Sequence, residues 1–294
     1  MSPASRVYRV YASNPENPSF QLAKNAIATD GTLSYYTWTE LSRNIPAAVN
    51  AGLPPGFDYS PWVPNGALAS GGRTNPASTE YPRTYAGLDQ VSGNWPTSPA
   101  QAGEPLSIHF DAHMPHEPSV WDVWITTADW TPAQPLNWSQ MEFLGRPSVT
   151  LSGMHYFFDV AIPRDRVGHH VLWIAWQRDD PVGEVFFSTS DIMVAPAAGT
   201  LAGDYNDDGR VDAADYTTWR NHVGAAGTLP NDVDGGVIGS AQYARWKANF
   251  GSRSAAAAAV PEPGPLSIVW VIGGPFAWRS GRRLRRMPPC YVAP

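Results

Sequence analysis

Cysteine is almost absent from this 294-residue chain. The single Cys290 lies near the C-terminus, so no disulfide can form within the chain and the folded body must be held by packing. Charge is scarce as well, at 16% of residues. Five of the 20 basic residues (Arg279, Arg282, Arg283, Arg285 and Arg286) crowd into 279–294, where there is no acid. The rest carries 15 basic against 26 acidic residues, a net charge of −11. An acidic body of this kind excludes nucleic acid as a partner. The start, "MSPASRVYRV", lacks the apolar run of a secretory leader and, taken alone, reads as cytoplasmic.

Proline (29), glycine (26) and tryptophan (13) are plentiful. That mixture suits a β-rich, loop-rich secreted protein better than a helical one. Tryptophan rings can stack on sugar faces, although burial is the commoner role of any one of them.

Residues 1–195 form one block of composition. Its first hundred residues read as long loops with short helices. From Leu106 the pattern changes to short β-branched and aromatic runs at 106–113, 120–127, 155–162, 169–176 and 184–194, separated by Pro, Gly and Asp turns. Strands at this spacing predict an antiparallel sandwich. The stretch "GHHVLWIAWQRDDPVGEVFFSTSDI" (168–192) poses the central question. It reads either as a core hairpin opened by two buried histidines or as the edge of a metal site.

"APAAGT" (195–200) reads as a linker. In 201–253, "ADYTTWRNHVG" (214–224) repeats as "AQYARWKANFG" (241–251) at an offset of 27. The loop before the first copy has oxygen side chains at Asp204, Asn206, Asp208, Asp212 and Asp215, with Gly209 at the sharp turn and Arg210 offering a carbonyl. Calcium needs six to eight hard oxygens, and this spacing wraps them around one point. The second copy places Asn231, Val233, Gly235, Gly239 and Gln242 there in gapless register. Starting instead at Asp232 and Asp234 shortens the loop by one residue. Either way the second site is expected to be weak or absent.

The repeat resembles a bacterial type I dockerin, two calcium loops each followed by a helix. That implies a small α-helical, EF-hand-like domain and a cohesin-like protein partner. Residues 254–259 are a Ser/Ala spacer. "VPEP" (260–263), an apolar stretch and "RSGRRLRR" resemble a PEP-CTERM sorting signal. The apolar stretch is too short and broken for a stable span of ~20 residues, so membrane contact through it would be transient, with the arginines on the cytoplasmic side.

In the main block, "PASR" (3–6), "WVPNGALASGG" (62–72), "YAGLDQVSGNWPTS" (85–98), "MPHEPSVWDVWIT" (114–126), "WTPAQPLNWSQMEF" (130–143) and the 168–192 stretch occur in order. Together they resemble the chitin-binding type-4 domain, which includes bacterial lytic polysaccharide monooxygenases of auxiliary-activity family ten. The resemblance implies a mainly β fold, an immunoglobulin- or fibronectin-III-like sandwich with a long N-terminal loop-and-helix insertion. It implies copper held by a histidine brace, acting with a reductant and oxygen or peroxide on chitin or cellulose. Imidazole nitrogens suit copper.

The brace's second histidine maps to His116, with His113 as the fallback. The axial aromatic maps to Phe186, and Glu184 falls beside the copper. His169 and His170 match a Gly-x-His of structural character. The family's cysteine positions read Val10, Ala69 and Thr189, and the alanine two residues before the histidine ligand reads Met114. The family's first ligand, an N-terminal histidine, would lie upstream of Met1. A leader is therefore expected there, with the mature protein secreted or at the cell surface. A polysaccharide-binding module without chemistry and a calcium-dependent surface scaffold are the alternatives.

Overall fold

The computed structural model describes residues 3–49, 52–197 and 199–253. The tail that carries the VPEP motif and the arginine cluster lies outside the described residues.

Three helices come first: α1 (Arg6–Ala12), α2 (Gln21–Asp30) and α3 (Thr32–Tyr36). Ser5 caps α1, its side chain accepting from the Tyr8 amide at 3.4 Å. Arg6, Val7 and Val10 turn inward while Tyr8 and Tyr11 face out, the one-sided pattern of an amphipathic helix. A long irregular segment follows, containing the short strand β1 (Ser42–Asn44).

The remaining strands are β2 (Ser98–Gln101), β3 (Pro105–Asp111), β4 (Ser119–Thr126), β5 (Met141–Gly145), β6 (Thr150–Ser152), β7 (His155–Ala161), β8 (Gly168–Arg178) and β9 (Glu184–Ala195). They form two sheets. One runs β1-β9-β8-β4-β5, with β2 added parallel to β9, and the other runs β3-β7-β6. All other pairs are antiparallel. The 168–192 stretch is the β8–β9 hairpin, with Trp176 opposite Phe186 and His170 opposite Ile192.

The burial patterns follow from three layers. β4 and β8 are buried along nearly every residue because the larger sheet is covered on both faces. Trp121, Leu172, Ile174 and Trp176 pack between the sheets, while Trp124, Trp173, Val185 and Phe187 pack under the helices and loops of the first hundred residues. β3 and β7 alternate buried and exposed, because one face of the smaller sheet meets water. Val10, Ala69 and Thr189, at the family's cysteine positions, are all buried, and the first two belong to the apolar core. Packing alone therefore fills what cross-links would occupy.

Residues 201–253 carry α4 (Ala213–His222) and α5 (Ser240–Asn249) around a smaller core of Tyr205, Leu229 and Ile238. The repeat has a pseudo-two-fold arrangement. Gly251 donates to Val211 O and Val211 to Ser252 O, and Gly224 and Ile238 make the matching bonds with Ile238 O and Ala225 O. The Trp219 indole donates to Gly239 O at 2.8 Å and the Trp246 indole to Asp212 O at 2.7 Å, so each helix clasps the other half's loop. Among the described residues, no helix is long and apolar enough to cross a membrane.

Candidate active site

At the turn end of the hairpin the aromatic residues of both strands stack. Trp176 lies 4.8 Å from Phe186 and 5.2 Å from Trp121, ring centre to ring centre, both near parallel. The His116 ring stacks on the other side of this group, 5.8 Å from Trp176 at an interplanar angle of 30°. Its backbone is pinned by Tyr156, whose hydroxyl accepts from the His116 amide at 2.9 Å and donates to its carbonyl at 2.8 Å. His116 is thus a half-buried ring on a fixed backbone. Burial lowers its pKa, and the Arg178 guanidinium lowers it further against Glu184 and Asp180. The ring is neutral at neutral pH, the state in which it can donate a lone pair to a metal.

Glu184 begins β9 next to this group. Its carboxylate accepts from Ser42 Oγ and from Arg178 Nη1, each at 2.7 Å, and Arg178 also reaches Asp180 at 2.6 Å. The sequence expectation named Glu184 and Phe186 but not Arg178 and Ser42, the two residues that bind the Glu184 carboxylate. Arg178 lies in the charged turn of the hairpin, where an arginine ordinarily reads as solvated.

His116, Phe186, His113, Pro3 and Ser5 line a cleft of about 460 Å³. Met114, which replaces the family's alanine, is also on its wall and is 72% exposed. Tyr8 and Trp38 form the adjoining rim. Trp38 packs edge-on to Tyr8 at 5.2 Å, stacks with Tyr11 at 6.0 Å and meets His113 edge-on at 5.5 Å. The sequence signal for this rim was tryptophan abundance, which does not say which rings stay outside.

The two histidines that open β8 belong elsewhere. His170 is 2% exposed, its Nδ1 2.9 Å from Thr126 Oγ1. His169 Nε2 is 2.8 Å from Asp191 Oδ1, and Arg6 of the "PASR" motif binds the same carboxylate through Nε at 2.6 Å and Nη2 at 2.9 Å. Burial pushes the Asp191 carboxyl up, but Arg6 and His169 outweigh it and hold the group below its ordinary value. This buried cluster ties α1, and with it the start of the chain at the cleft, to the strand that carries Phe186.

In the repeat, the Asp204 and Asp215 side chains are buried. Asp204 accepts from the amides of Asp208 at 3.1 Å and Gly209 at 2.8 Å, while Asp215 accepts from Asn206 at 3.0 Å and Asp212 at 2.7 Å. Burial raises the Asp204 pKa most, and the carboxylates of Asp215 and Asp208 add to it against those amide donors. No ion pair among the described residues reaches Asp204, Asp208, Asp212 or Asp215. Arg210 contributes no such pair. Its backbone bridges to Arg253, which leaves its carbonyl end of the loop as a backbone feature.

Among the described residues, no three His, Cys, Asp or Glu side chains are gathered as a finished metal site. The donor sets nevertheless fit in kind. His116 offers one neutral imidazole, a donor type that suits copper, although no histidine precedes Pro3 in the sequence. The first loop of the repeat offers hard oxygens around two buried carboxylates that lack a cation.

Comparison with known proteins bears on the family and the fold. The model of the family described as lytic polysaccharide mono-oxygenase, cellulose-degrading, matches residues 1–192. The chitin-binding protein CbpD of Pseudomonas aeruginosa is 30% identical over 202 residues, 67% of this chain and 47% of that protein. A lytic cellulose monooxygenase of Streptomyces ambofaciens is 26% identical over 218 residues, 69% of this chain and 54% of that one. The chain thus spans about half the length of the curated relatives it matches. Two solved structures share the fold, each at 24% identity over 65% of this chain and 95% of the other. They are the copper complex of the cellulose-active LPMO CelS2, with a TM-score of 0.53, and an LPMO from Kitasatospora papulosa, with a TM-score of 0.52. With its ordered motifs, its sandwich and its matched family model, the chain belongs to the lytic polysaccharide mono-oxygenase family.

Proposed function

We propose that this protein oxidatively cleaves crystalline polysaccharide, cellulose or chitin, with copper held at His116. The observation that carries the reading is the neutral His116 ring on the cleft wall, stacked on Trp176, which stacks in turn on Phe186. Bound there, copper would supply the one-electron chemistry that turns a reductant and oxygen or peroxide against a sugar C–H bond. The chain's own residues do the rest. Tyr156 fixes the His116 backbone. Arg178 and Ser42 hold the Glu184 carboxylate between them. Phe186 and Trp176 exclude water from one side of the ring. Tyr8 and Trp38 offer apolar faces on which sugar rings can stack.

The remaining nitrogens of a brace are not among the residues of this sequence, so the test uses a form with His-Gly placed ahead of Pro3 at the family's spacing. Isothermal titration of that form should give one tight copper. His116→Ala should abolish copper binding and activity together. Phe186→Ala should spare binding more than activity, because the ring shapes an open position without donating a strong ligand. Copper binding that survives His116→Ala would overturn the assignment. A binding-only role is the second reading, favoured by the name of CbpD. It predicts adsorption to polysaccharide without oxidised products.

For the rest of the chain we propose that Asp204, Asn206, Asp208, Asp212, Asp215 and the Arg210 carbonyl hold calcium. In this reading 196–200 links the catalytic domain to a dockerin-like module (201–253) that docks a cohesin-like partner. The tail acts as a sorting signal on an exported protein. The fit of donor types and the internal duplication support the module.

A further inference from the structure

The two loops of the repeat start alike. Asp204 donates its amide to Leu201 O at 3.0 Å, and Asp232 donates its amide to Leu229 O at 3.1 Å. Asp232 is therefore the counterpart of Asp204, at an offset of 28. From the bridge onward the offset is 27, with Gly239 matching Asp212 and Gln242 matching Asp215. The second loop is one residue shorter, and the shortening falls between Asp232 and Gly239.

The two loops differ in what lies at the centre. In the first, Asp204 and Asp215 are both buried carboxylates, and neither has a cationic partner among the described residues. In the second, Gln242 is fully buried where Asp215 would be. Its Oε1 keeps the role of the Asp215 oxygen, accepting from the Gly239 amide at 2.8 Å as Asp215 accepts from Asp212 at 2.7 Å. Its Nε2 does what no carboxylate can. It donates to Asp232 Oδ2 at 3.2 Å and to Gly235 O at 2.9 Å, bridging the first residue of the loop to its turn. The other acid, Asp234, is bound in two places by Arg245, at 2.8 Å and 3.2 Å. Arg245 sits one turn beyond Gln242 on α5, where α4 carries the uncharged Thr218.

We infer that the second loop is a cation site filled by the chain itself, the Gln242 amide bridging its oxygens and the Arg245 guanidinium neutralising its exposed acid. A cation would have to bind between Asp232, Asp234 and a carbonyl, where the Gln242 side-chain amide and the Arg245 guanidinium already donate, whereas Asp204 and Asp215 of the first loop accept from backbone amides alone. The duplicated module therefore needs metal in one half only, and the other half closes without it. This rests on the calcium reading of the first loop for its contrast, but the geometry of the second loop stands apart from it.

The test is a calcium titration of the full chain, after chelation, against Gln242→Glu/Arg245→Ala. The double variant puts an isosteric carboxylate in place of the amide and frees Asp234. The wild-type chain should bind one calcium and the double variant two, while Arg245→Ala alone should stay at one because the amide still fills the loop. Two equal sites in the wild type, or no added site in a folded double variant, overturns the inference. A wild type that binds none beside a double variant that binds one would overturn the first-loop reading and leave this one standing. Should the double variant not fold, nitrogen-15 spectra of the wild type decide. The Gln242 side-chain amide should be protected from exchange and unmoved by chelator. An amide that exchanges freely, or that shifts when calcium is added, contradicts the inference.

Discussion

His170 is a structural histidine, 2% exposed and bonded to Thr126 across the sheet. Burial, with help from Arg166, depresses its pKa from 6.5 to about 4. On acidification the unfolded chain takes up this proton first, so the group's contribution is intact above about pH 6.5 and is lost as the pH falls toward 4. The loss should approach ~3 kcal/mol. Asp89 acts in the opposite sense, since burial pushes its carboxyl up to about 7. The clean comparison is therefore between wild type and His170→Gln, which share Asp89. Urea unfolding should show the variant destabilised at pH 7 and that gap shrinking by most of this amount at pH 4. A gap independent of pH would mean that His170 titrates normally.

At the scale of elements, the β8–β9 hairpin answers the question posed by its sequence. It is core along most of its length, and at one end Phe186 reaches the cleft. His169 and His170 begin β8 at the end away from the cleft, while Phe186 and Glu184 lie at the cleft end. The five main strands were legible because their β-branched and aromatic runs are long and bounded by turn residues. β1, β2, β5 and β6 were not, being three to five residues long, too short for a period to register. His116 was legible only through the order of the surrounding motifs, since a histidine in a Pro-flanked loop has no period to mark it. Arg178, Ser42 and the Arg6–Asp191–His169 cluster needed three dimensions, because their partners are 142 and 185 residues apart in sequence for Glu184–Ser42 and Arg6–Asp191. The rim formed by α1 and the segment after α3 carries its own prediction. Tyr8→Ala/Trp38→Ala should weaken adsorption to crystalline cellulose or chitin by more than about tenfold in a pull-down assay, since each stacked ring contributes roughly 1 kcal/mol. Copper affinity should be unchanged, and unaltered adsorption would remove the rim from the binding surface.

Across the whole molecule, two cores are built on different terms. The sandwich buries aromatic residues on both faces of its larger sheet and needs no cross-link or metal to close. The repeat has a core of three buried apolar residues, and half of it is organised around two buried carboxylates that accept backbone amides and have no basic side chain paired to them among the described residues. Chelation should therefore lower the melting temperature of the repeat and leave that of the sandwich unchanged, with calorimetry separating the two transitions. Asp204→Ala should make the repeat insensitive to calcium. A repeat equally stable with and without calcium would contradict the loop assignment.

The most direct measurement of the central claim is mass spectrometry of the soluble products from cellulose and from chitin. The chain bearing His-Gly ahead of Pro3 would be incubated with copper, a reductant and peroxide. The account predicts oligosaccharides carrying an oxidised chain end from at least one of the two polysaccharides, and none from the His116→Ala form prepared identically. Adsorption to both polysaccharides with no oxidised product, from a form that demonstrably holds one copper, would contradict it and leave a protein that binds without cutting.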